Sequence, residues 1–336
     1  MKKKYLKYKF KISKRHKRNN KIKSSIKKYL LILLLSIIFS TFIIFIIFNK
    51  FIDRYKSNTK VGLCIICKRE NLYIKEFVNH YKNLGYNHIF IYDNNNIDEE
   101  NFDTVLKKEI KEGFVTIIDY RGRNYNRQIF DAYIDCYEKN NKDYNWLSFF
   151  DIDEFLELKP KGIKIQEFLD NERYKNCQNV KFNWLIYTDS DKLHYENKPI
   201  QERFTKYLDN HVFFNKHVKS TVRGNLSKNY WIGAPNPHTS NNEFSSCSSS
   251  GKEIDRKSPF NYPPDYKYAI LKHYRTKTIE EYINKMKKRK PDTMINYNMM
   301  VESFFGSNKV TDEKIDIFNK EFNIKFDKSM LYKVPK

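Results

Sequence analysis

The sequence has 336 residues, with 63 Lys and Arg against 40 Asp and Glu, a formal net charge of +23, 40% hydrophobic residues and 16% aromatic residues. This length and composition exclude a small disulfide scaffold, a collagen-like repeat and a wholly disordered polymer, and they allow a sizeable core. The charge is uneven, because residues 1–28 contain 14 Lys and Arg and no acidic residue. Most of the excess basicity therefore belongs to an N-terminal tail.

An uncharged stretch, YLLILLLSIIFSTFIIFIIF, follows the tail at residues 29–48. A helix needs about 20 apolar residues to cross the hydrocarbon core of a bilayer. The stretch therefore predicts a transmembrane signal anchor. A cleavable signal peptide is the alternative, but its apolar core spans about 7–15 residues and ends in small residues, which FIIFIIFNKF does not offer.

The charges on the two sides of this span predict its orientation. The tail is strongly basic, whereas residues 49–59, a short stem, carry only Lys50, Arg54 and Lys56 against Asp53 before the domain begins near Lys60. The positive-inside rule then places residues 1–28 in the cytosol and residues 49–336 in an ER-like or Golgi-like lumen or outside the cell. Orientation and anionic lipid explain the basic tail, so we expect the membrane as its partner and no nucleic acid.

The five cysteines are Cys64, Cys67, Cys136, Cys177 and Cys247. The predicted compartment permits disulfides, but an odd number of cysteines cannot all pair. Cys64 and Cys67 form a C-x-x-C inside the apolar run VGLCIIC, and no second pair follows at a zinc spacing. We expect these two residues to be thiols in a core strand.

Short apolar runs alternate with amphipathic stretches from residue 60 onward. The predicted strands are residues 61–67, 88–93, 114–119 and 146–155, and the predicted helices are residues 71–85, 98–112 and 126–140. This alternation predicts an α/β fold with a parallel sheet and crossover helices, which binds ligands beyond the carboxyl ends of its strands.

The later part of the chain is patterned less regularly. Its predicted elements are strands at residues 179–189, 203–221 and 268–274, a polar loop at 239–259 and a basic-ended helix at 278–290. These strands predict that the sheet becomes mixed. Residues 291–336 are expected to pack on the domain as a C-terminal extension.

Asp151 and Asp153 are the first candidates for chemistry. Residues i and i+2 of an extended chain project to the same side, and two such carboxylates suit Mg²⁺ or Mn²⁺. A bare D-x-D is a weak signal, because Asp189 and Asp191 form a second copy. The first copy is favoured because it ends the fourth strand of the alternating unit.

An ordered set of segments carries a family resemblance over residues 61–292. The segments are CIICKRENLYIKEFVNHYKNLGYNHIFIYDNNN, Gln128, WLSFFDIDEFLEL, the Arg-Phe of QERF and LKHYRTKTIEEYINKMKKRKPD. The set resembles glycosyltransferase family 92 and the family 2-like group of inverting enzymes. It departs from the family pattern at Arg69, where Asn is usual, at Asn96, where Ser is commoner, and at residues 184–188, where W-x-x-F-G is degraded.

The resemblance implies a GT-A type, Rossmann-like domain at residues 60–290, with a mixed, mainly parallel sheet flanked by helices. The residues implied to bind a nucleotide sugar are Glu70, Asp93, Gln128, Asp151 and Arg275. Asp151, Asp153 and His273 are the implied ligands of Mn²⁺ or Mg²⁺, and Lys216 and Lys219 could add positive charge for the diphosphate. Inversion needs one general base, for which the candidates are Glu202, ranked first, Asp191 and Asp189.

The leading interpretation is a single-pass type II membrane glycosyltransferase of the hexosyl class. It would move a sugar from a nucleotide donor, UDP-linked in our prediction, to a glycan or glycoprotein acceptor with inversion. One alternative is a non-catalytic anchored domain that binds a glycan or a protein partner. A metal-dependent phosphotransferase or nucleotidyltransferase is a third hypothesis, but the sequence lacks the phosphate-binding loop G-x-x-x-x-G-K-[ST].

Overall fold

A computed structural model of the protein describes residues 27–45, 58–123, 127–209, 213–226, 245–255, 257–287 and 303–323. The chain divides into two compact units, Met1–Ser57 and Asn58–Lys336. In the first unit, helix α1 (Lys27–Phe45) is exposed along its length, and among the described residues it alone is long and apolar enough to cross a membrane. Residues 46–48 of the predicted span, most of the predicted tail and most of the stem lie outside the described residues.

In the second unit, the strands of the described residues form one mixed sheet. The strands are β1 (Val61–Cys67), β2 (His88–Asp93), β3 (Val115–Asp119), β4 (Trp146–Phe149), β5 (Glu154–Leu158), β6 (Asn179–Ile186), β7 (Val218–Arg223), β8 (Ser246–Cys247) and β9 (Ala269–His273). Their order is β3-β2-β1-β4-β7-β6-β9-β5, and β8 pairs with β6. Strands β1 to β4 pair in parallel, and β7 joins β4 and β6 in antiparallel fashion.

The described helices of this unit connect or cover the strands. They are α2 (Asn71–Leu84), α3 (Phe102–Val105), α4 (Lys107–Lys111), α5 (Gln128–Asn140), α6 (Ile165–Leu169), α7 (Ile200–Arg203), α8 (Ile279–Lys287) and α9 (Asp312–Phe322). Helix α2 ends at Gly85, whose φ of 100° is the left-handed conformation that stops a helix and that glycine adopts without strain.

Helices cover both faces of the sheet because side chains along each strand alternate in direction. Leu63 and Ile65 of β1 belong to one buried cluster together with Phe77 of α2. Cys64, between them, belongs to a second cluster together with Tyr133 of α5. The predicted α/β fold, with a mixed sheet flanked by helices, is therefore confirmed.

Three predicted elements differ from the structure. The predicted helix at 98–112 is two short helices, α3 and α4. The Asn101 side chain accepts from the Asp103 N–H (2.8 Å) and caps the start of α3, and Leu106 caps its end. Among the described residues of the predicted strand at 203–221, β7 is the one strand that forms. Before β7, buried Asn215 accepts from the Ile186 N–H (2.9 Å) and holds a 3₁₀ turn. The predicted strand at 146–155 is two strands, described with the site below.

The cysteine prediction is wrong for Cys64. This residue forms a disulfide with Cys136 of α5, and Cys177 forms a second disulfide with Cys247. Cys67 is a buried free thiol. The alternation of β1 explains the difference, because the Cys64 side chain faces α5 at a position where Cys136 meets it.

Helix α8 and the C-terminal segment 303–323 share a third apolar cluster. The buried residues that form it are Ile279, Tyr282, Ile283, Phe304, Phe305, Ile315 and Phe318. A buried ion pair between Lys314 of α9 and Asp189 (2.5 Å) adds a polar contact to the same region. The segment thus packs against the helix that follows the last strand.

Candidate active site

A cavity of about 840 Å³ opens at the carboxyl ends of β1 and β4, where α2 and α5 begin. Open α/β sheets bind ligands in a crevice outside the carboxyl ends of their strands. The cavity also takes residues from the end of β9 and from α8. The predicted site residues that line it are Glu70, Gln128, Asp151, Asp153, His273 and Arg275.

Asp151 and Asp153 project from a turn and not from an extended strand, which corrects the geometry expected from their spacing. Strand β4 ends at Phe149, and the Asp151 carbonyl accepts from the Glu154 N–H (3.0 Å). The chain turns here because β5 leaves β4 and pairs antiparallel to β9, with Glu154 opposite His273. The turn still directs both carboxylates to the cavity.

Asp153 is the centre of a buried charge cluster. Its Oδ1 lies 3.4 Å from His273 Nε2, and its Oδ2 accepts from Lys285 Nζ at 3.0 Å. Burial acts to raise the pKa of Asp153, but Lys285 and His273 outweigh it and hold the pKa well below its usual range. Burial lowers the pKa of His273, against the opposing effect of Asp153. The carboxylate and a neutral imidazole therefore face each other at neutral pH.

Asp151 is paired with a different lysine. Its Oδ2 lies 2.7 Å from Nζ of Lys219, a buried residue of β7 that is also 3.6 Å from Glu154. Partial loss of hydration would raise the pKa of Asp151, but Lys219 reverses the effect and the pKa is lowered. Lys219 was predicted to add charge for a diphosphate, whereas here it neutralises Asp151. The Asp151 side chain is 45% exposed, so it remains open to the cavity.

Five Lys and Arg residues line the cavity: Lys68, Arg69, Arg275, Lys277 and Lys285, the partner of Asp153. Lys277 is 4% exposed and has a φ of 56°, and its Nζ lies 4.1 Å from the centre of the Tyr73 ring. Burial lowers the pKa of Lys277, against the attraction of Glu70. Burial raises the pKa of Glu70, against the attraction of Lys277 and Lys285. The cavity lining therefore combines cationic side chains with carboxylates.

Lys277 and Lys285 were missed by the sequence analysis. Both lie in the segment LKHYRTKTIEEYINKMKKRKPD, which carried part of the resemblance. They lie four and twelve residues after His273, and this closeness in sequence to a predicted metal ligand was the one indication that they belong to the site. In a chain with 63 Lys and Arg, a single lysine gives little reason to select it.

Some polar atoms of the cavity are buried without a hydrogen-bond partner among the described residues. They are Gln128 Oε1, His273 Nδ1 and Arg275 Nε. Leaving such atoms unpaired costs free energy.

Asp93 lies behind the cavity wall, and its carboxylate is fully engaged. Its Oδ2 accepts from Arg121 Nε (3.0 Å) and Nη2 (2.9 Å), and its Oδ1 accepts from the N–H (3.0 Å) and side-chain amide (2.7 Å) of Asn95. It ends β2 as predicted. These contacts fix the loop that follows β2. Asp93 does not line the cavity, so its contact with a nucleoside stays a prediction.

The three predicted general bases do not line the cavity. Glu202 is exposed on α7, and Asp191 is exposed and pairs with Lys206. Asp189 is buried against Lys314. Arg203 and Phe204 are the buried residues of the E-R-F segment, because α7 turns Glu202 to the solvent.

Arg203 makes a buried, two-pronged ion pair with Glu281 of α8. The two N–O distances are 2.8 and 2.9 Å, and the side chains are 1% and 4% exposed. Tyr73 Oη and Thr278 Oγ1 also donate to Glu281, at 2.6 and 2.8 Å. Because Glu281 lines the cavity, this network fixes one wall of the site.

The carboxylates of Asp151 and Asp153 fit Mn²⁺ or Mg²⁺, which prefer oxygen ligands. The imidazole of His273 is a ligand that Mn²⁺, as a transition metal, accepts more readily than Mg²⁺. Asp153 and His273 are already in contact, and Asp151 opens to the same cavity. Among the described residues, no three His, Cys, Asp or Glu side chains are arranged as a ready metal cluster. A cation would therefore need further ligands, such as oxygens of a substrate.

Comparison with known proteins identifies the family. A model of glycosyltransferase family 92 matches residues 60–325, which is most of the chain. The chain therefore belongs to glycosyltransferase family 92. A glycosyltransferase family 92 protein of Ricinus communis is 26% identical over 117 residues, covering 33% of this chain and 19% of that protein. The match thus spans about a fifth of that relative.

Solved structures show only a distant likeness. S. aureus TarS 1-349 matches over 79% of this chain and 71% of its own, with 8% identity and a TM-score of 0.33. The structure of the same protein in complex with UDP matches over 82% of this chain and 76% of its own, with 9% identity and a TM-score of 0.32. Apo GlyE of Streptococcus pneumoniae covers 40% of this chain and 30% of its own, with 13% identity and a TM-score of 0.23. The family assignment rests on the family model and not on these structures.

Proposed function

We propose that this family 92 protein transfers a sugar from a nucleotide donor, and that the donor diphosphate binds in the cavity beside Arg275, Lys277 and Lys285. The observation that carries the proposal is the convergence of these cations with Asp151, Asp153 and His273 in one cavity. A diphosphate is anionic and rich in oxygen, so it complements the cations. It also offers oxygens to a metal held by the carboxylates.

The roles of the side chains follow from their present partners. Lys285 neutralises Asp153 and Lys219 neutralises Asp151. When a donor enters, its phosphate oxygens compete for Lys285, which frees an oxygen of Asp153. Asp151, Asp153 and His273 would hold the proposed Mn²⁺ or Mg²⁺ ion. The ion would supply charge neutralisation for the nucleoside diphosphate that leaves.

The transfer itself would be a single displacement with inversion at the anomeric carbon. It needs one carboxylate to take a proton from the acceptor hydroxyl, and that group must reach the reacting atoms. Glu202 and Asp191 lie outside the cavity. We therefore draw the base from the carboxylates that line it, which include Glu70 and Glu280.

We further propose that residues 29–48 anchor the protein in a membrane as a type II protein, with residues 49–336 in a lumen or outside the cell. Support comes from the charge asymmetry around α1. The two disulfides of the second unit are a separate argument, because such bonds persist in oxidising compartments. The acceptor would then be a glycan or glycoprotein of the secretory pathway.

The test uses the full chain in detergent with a panel of sugar nucleotides, UDP-linked donors first. Release of a nucleoside diphosphate would be followed with MnCl₂, with MgCl₂ and with a chelator. We expect release from one donor in the presence of a divalent ion. A folded protein that binds and hydrolyses no donor would favour the non-catalytic alternative. Release that a chelator does not reduce would remove the metal from the proposal.

A further inference from the structure

Residues 303–308, called the C-terminal turn, comprise helical residues 303–305 and the turn that follows them. They contact residues 275–277, called the donor-binding segment, which carries two of the cavity cations. Arg275 Nη2 donates to the Ser303 carbonyl at 2.6 Å and to Ser307 Oγ at 3.4 Å. Asn308 Nδ2 donates to Thr276 Oγ1 at 3.0 Å. The C-terminal turn therefore contacts two consecutive residues of the donor-binding segment, Arg275 and Thr276.

Asn308 connects three parts of the fold through one side chain. Besides Thr276, its Nδ2 donates to the Phe304 carbonyl (2.9 Å), and its Oδ1 accepts from the Asp189 N–H (2.6 Å). Asn308 is 7% exposed and Thr276 is 2% exposed, so water does not replace these bonds readily. The side chain is thus a buried junction between the turn, the end of β6 and the donor-binding segment.

The backbone of this segment needs such support. Lys277, the next residue, has a φ of 56°, a left-handed conformation that is unfavourable for a residue with a side chain. Such a conformation persists when the surroundings fix it. The hydrogen bond to Thr276 and the bonds to Arg275 flank Lys277 on its N-terminal side, and α8 follows it.

We propose that Asn308 is a positioning residue, which through Thr276 holds Arg275 and Lys277 in the geometry that receives the donor diphosphate. The proposal rests on the proposed function for the identity of the ligand. It assigns the C-terminal extension a part in donor binding although, among the described residues of 303–323, none lines the cavity.

The test compares variants at both ends of one hydrogen bond in the full chain. Thr276→Val keeps the shape of the residue and removes the hydroxyl, whereas Thr276→Ser keeps the hydroxyl. We expect Asn308→Ala and Thr276→Val each to weaken UDP binding in the presence of Mn²⁺ by about tenfold, the value of one buried hydrogen bond. Thr276→Ser should stay close to wild type. The double variant should lose little more than Asn308→Ala alone, because Asn308→Ala already removes the hydrogen bond to Thr276.

Titration calorimetry would be run at a temperature where circular dichroism shows every variant to be folded. Asp316→Ala, on the exposed side of α9, is the control and should leave the Kd unchanged. Amide hydrogen exchange of residues 275–279, measured without nucleotide, should rise in Asn308→Ala. A lowered melting temperature with an unchanged Kd and unchanged exchange would overturn the proposal. A wild type that does not bind UDP would count against the proposed function, and the exchange result would still decide the positioning role.

Discussion

His273 and Asp153 contact each other at the junction of β9 and β5, with His273 Nε2 3.4 Å from Asp153 Oδ1. The contact exists because β5 leaves the parallel part of the sheet and pairs with β9, which places Glu154 opposite His273. A residue late in the chain is thereby brought to the carboxylates that follow β4. The two D-x-D copies then differ in a testable way, since only Asp151 and Asp153 line the cavity.

Asp153→Asn should reduce nucleoside diphosphate release by about 100-fold or more, the scale of several kcal/mol of charge stabilisation. Asp191→Asn is the matched control, because Asp191 is exposed and pairs only with Lys206 among the partners seen. Steady-state rates for both variants, with fold checked by circular dichroism, make the comparison. A larger loss of activity in Asp191→Asn than in Asp153→Asn would support Asp191 as the general base. It would contradict the assignment of the active site to the cavity lined by Asp151 and Asp153.

Lys285→Met should weaken UDP binding by about tenfold or more, because a charge-assisted hydrogen bond is lost. Lys287→Met serves as the control on the same helix. Lys287 pairs with Glu321 at the surface, where both side chains are more than 40% exposed. Calorimetric Kd values that rose equally for the two variants would show a general charge effect and not a specific contact.

Arg203→Met should lower the free energy of unfolding by about 3–5 kcal/mol, since it leaves Glu281 charged and buried without its partner. Glu202→Gln, one residue earlier and exposed, should change it by less than about 0.5 kcal/mol. Urea unfolding of the full chain in detergent would measure both. Equal effects would mean that the buried Arg203–Glu281 pair does not stabilise this wall of the cavity.

The cysteine arrangement predicts a thiol count. Protein secreted or inserted through an oxidising compartment should show one reactive thiol, that of Cys67, when denatured without reductant, and five after reduction. Alkylation followed by mass spectrometry gives both numbers. Five reactive thiols before reduction, in protein taken from its native membrane, would contradict the luminal orientation.

His80 predicts a pH dependence of stability. Burial lowers its pKa to about 4, against about 6.5 in an unfolded chain. The unfolded state therefore binds more protons between these values, and stability falls as pH drops from about 6.5 to 4, by up to about 3 kcal/mol. Unfolding of wild type and His80→Gln across this range would test it. The stability difference between them should shrink toward low pH, and a constant difference would refute the assignment.

The sequence predicted the first half of the fold well because local pattern and tertiary packing agree there. The bounds of β1 and β2 are those of their apolar runs, and Gly85 ends α2 as expected. The run WLSFFDIDEF was different, because its apolar residues continue past the point where β4 ends and β5 begins to pair with β9. Periodicity does not record which strand is the partner.

The site was predicted in part for the same reason. Asp151 and Asp153 were selected from their position at the end of a predicted strand, and Glu70 was selected from the family resemblance. The ion pair between Asp93 and Arg121 was not predicted, because the sequence does not show which of its many basic residues lies close to Asp93 in the fold. Lys277 and Lys285 were hidden by composition, because a lysine-rich chain gives functional and surface lysines the same appearance.

The most direct measurement is an experimental structure of the full chain with UDP and MnCl₂, using the anomalous signal of manganese. The account predicts nucleotide in the cavity, its diphosphate in contact with Arg275, Lys277 and Lys285, and manganese at Asp153 and His273. Nucleotide bound elsewhere on the domain, or bound in the cavity with these three cations turned away from the phosphates, would contradict it.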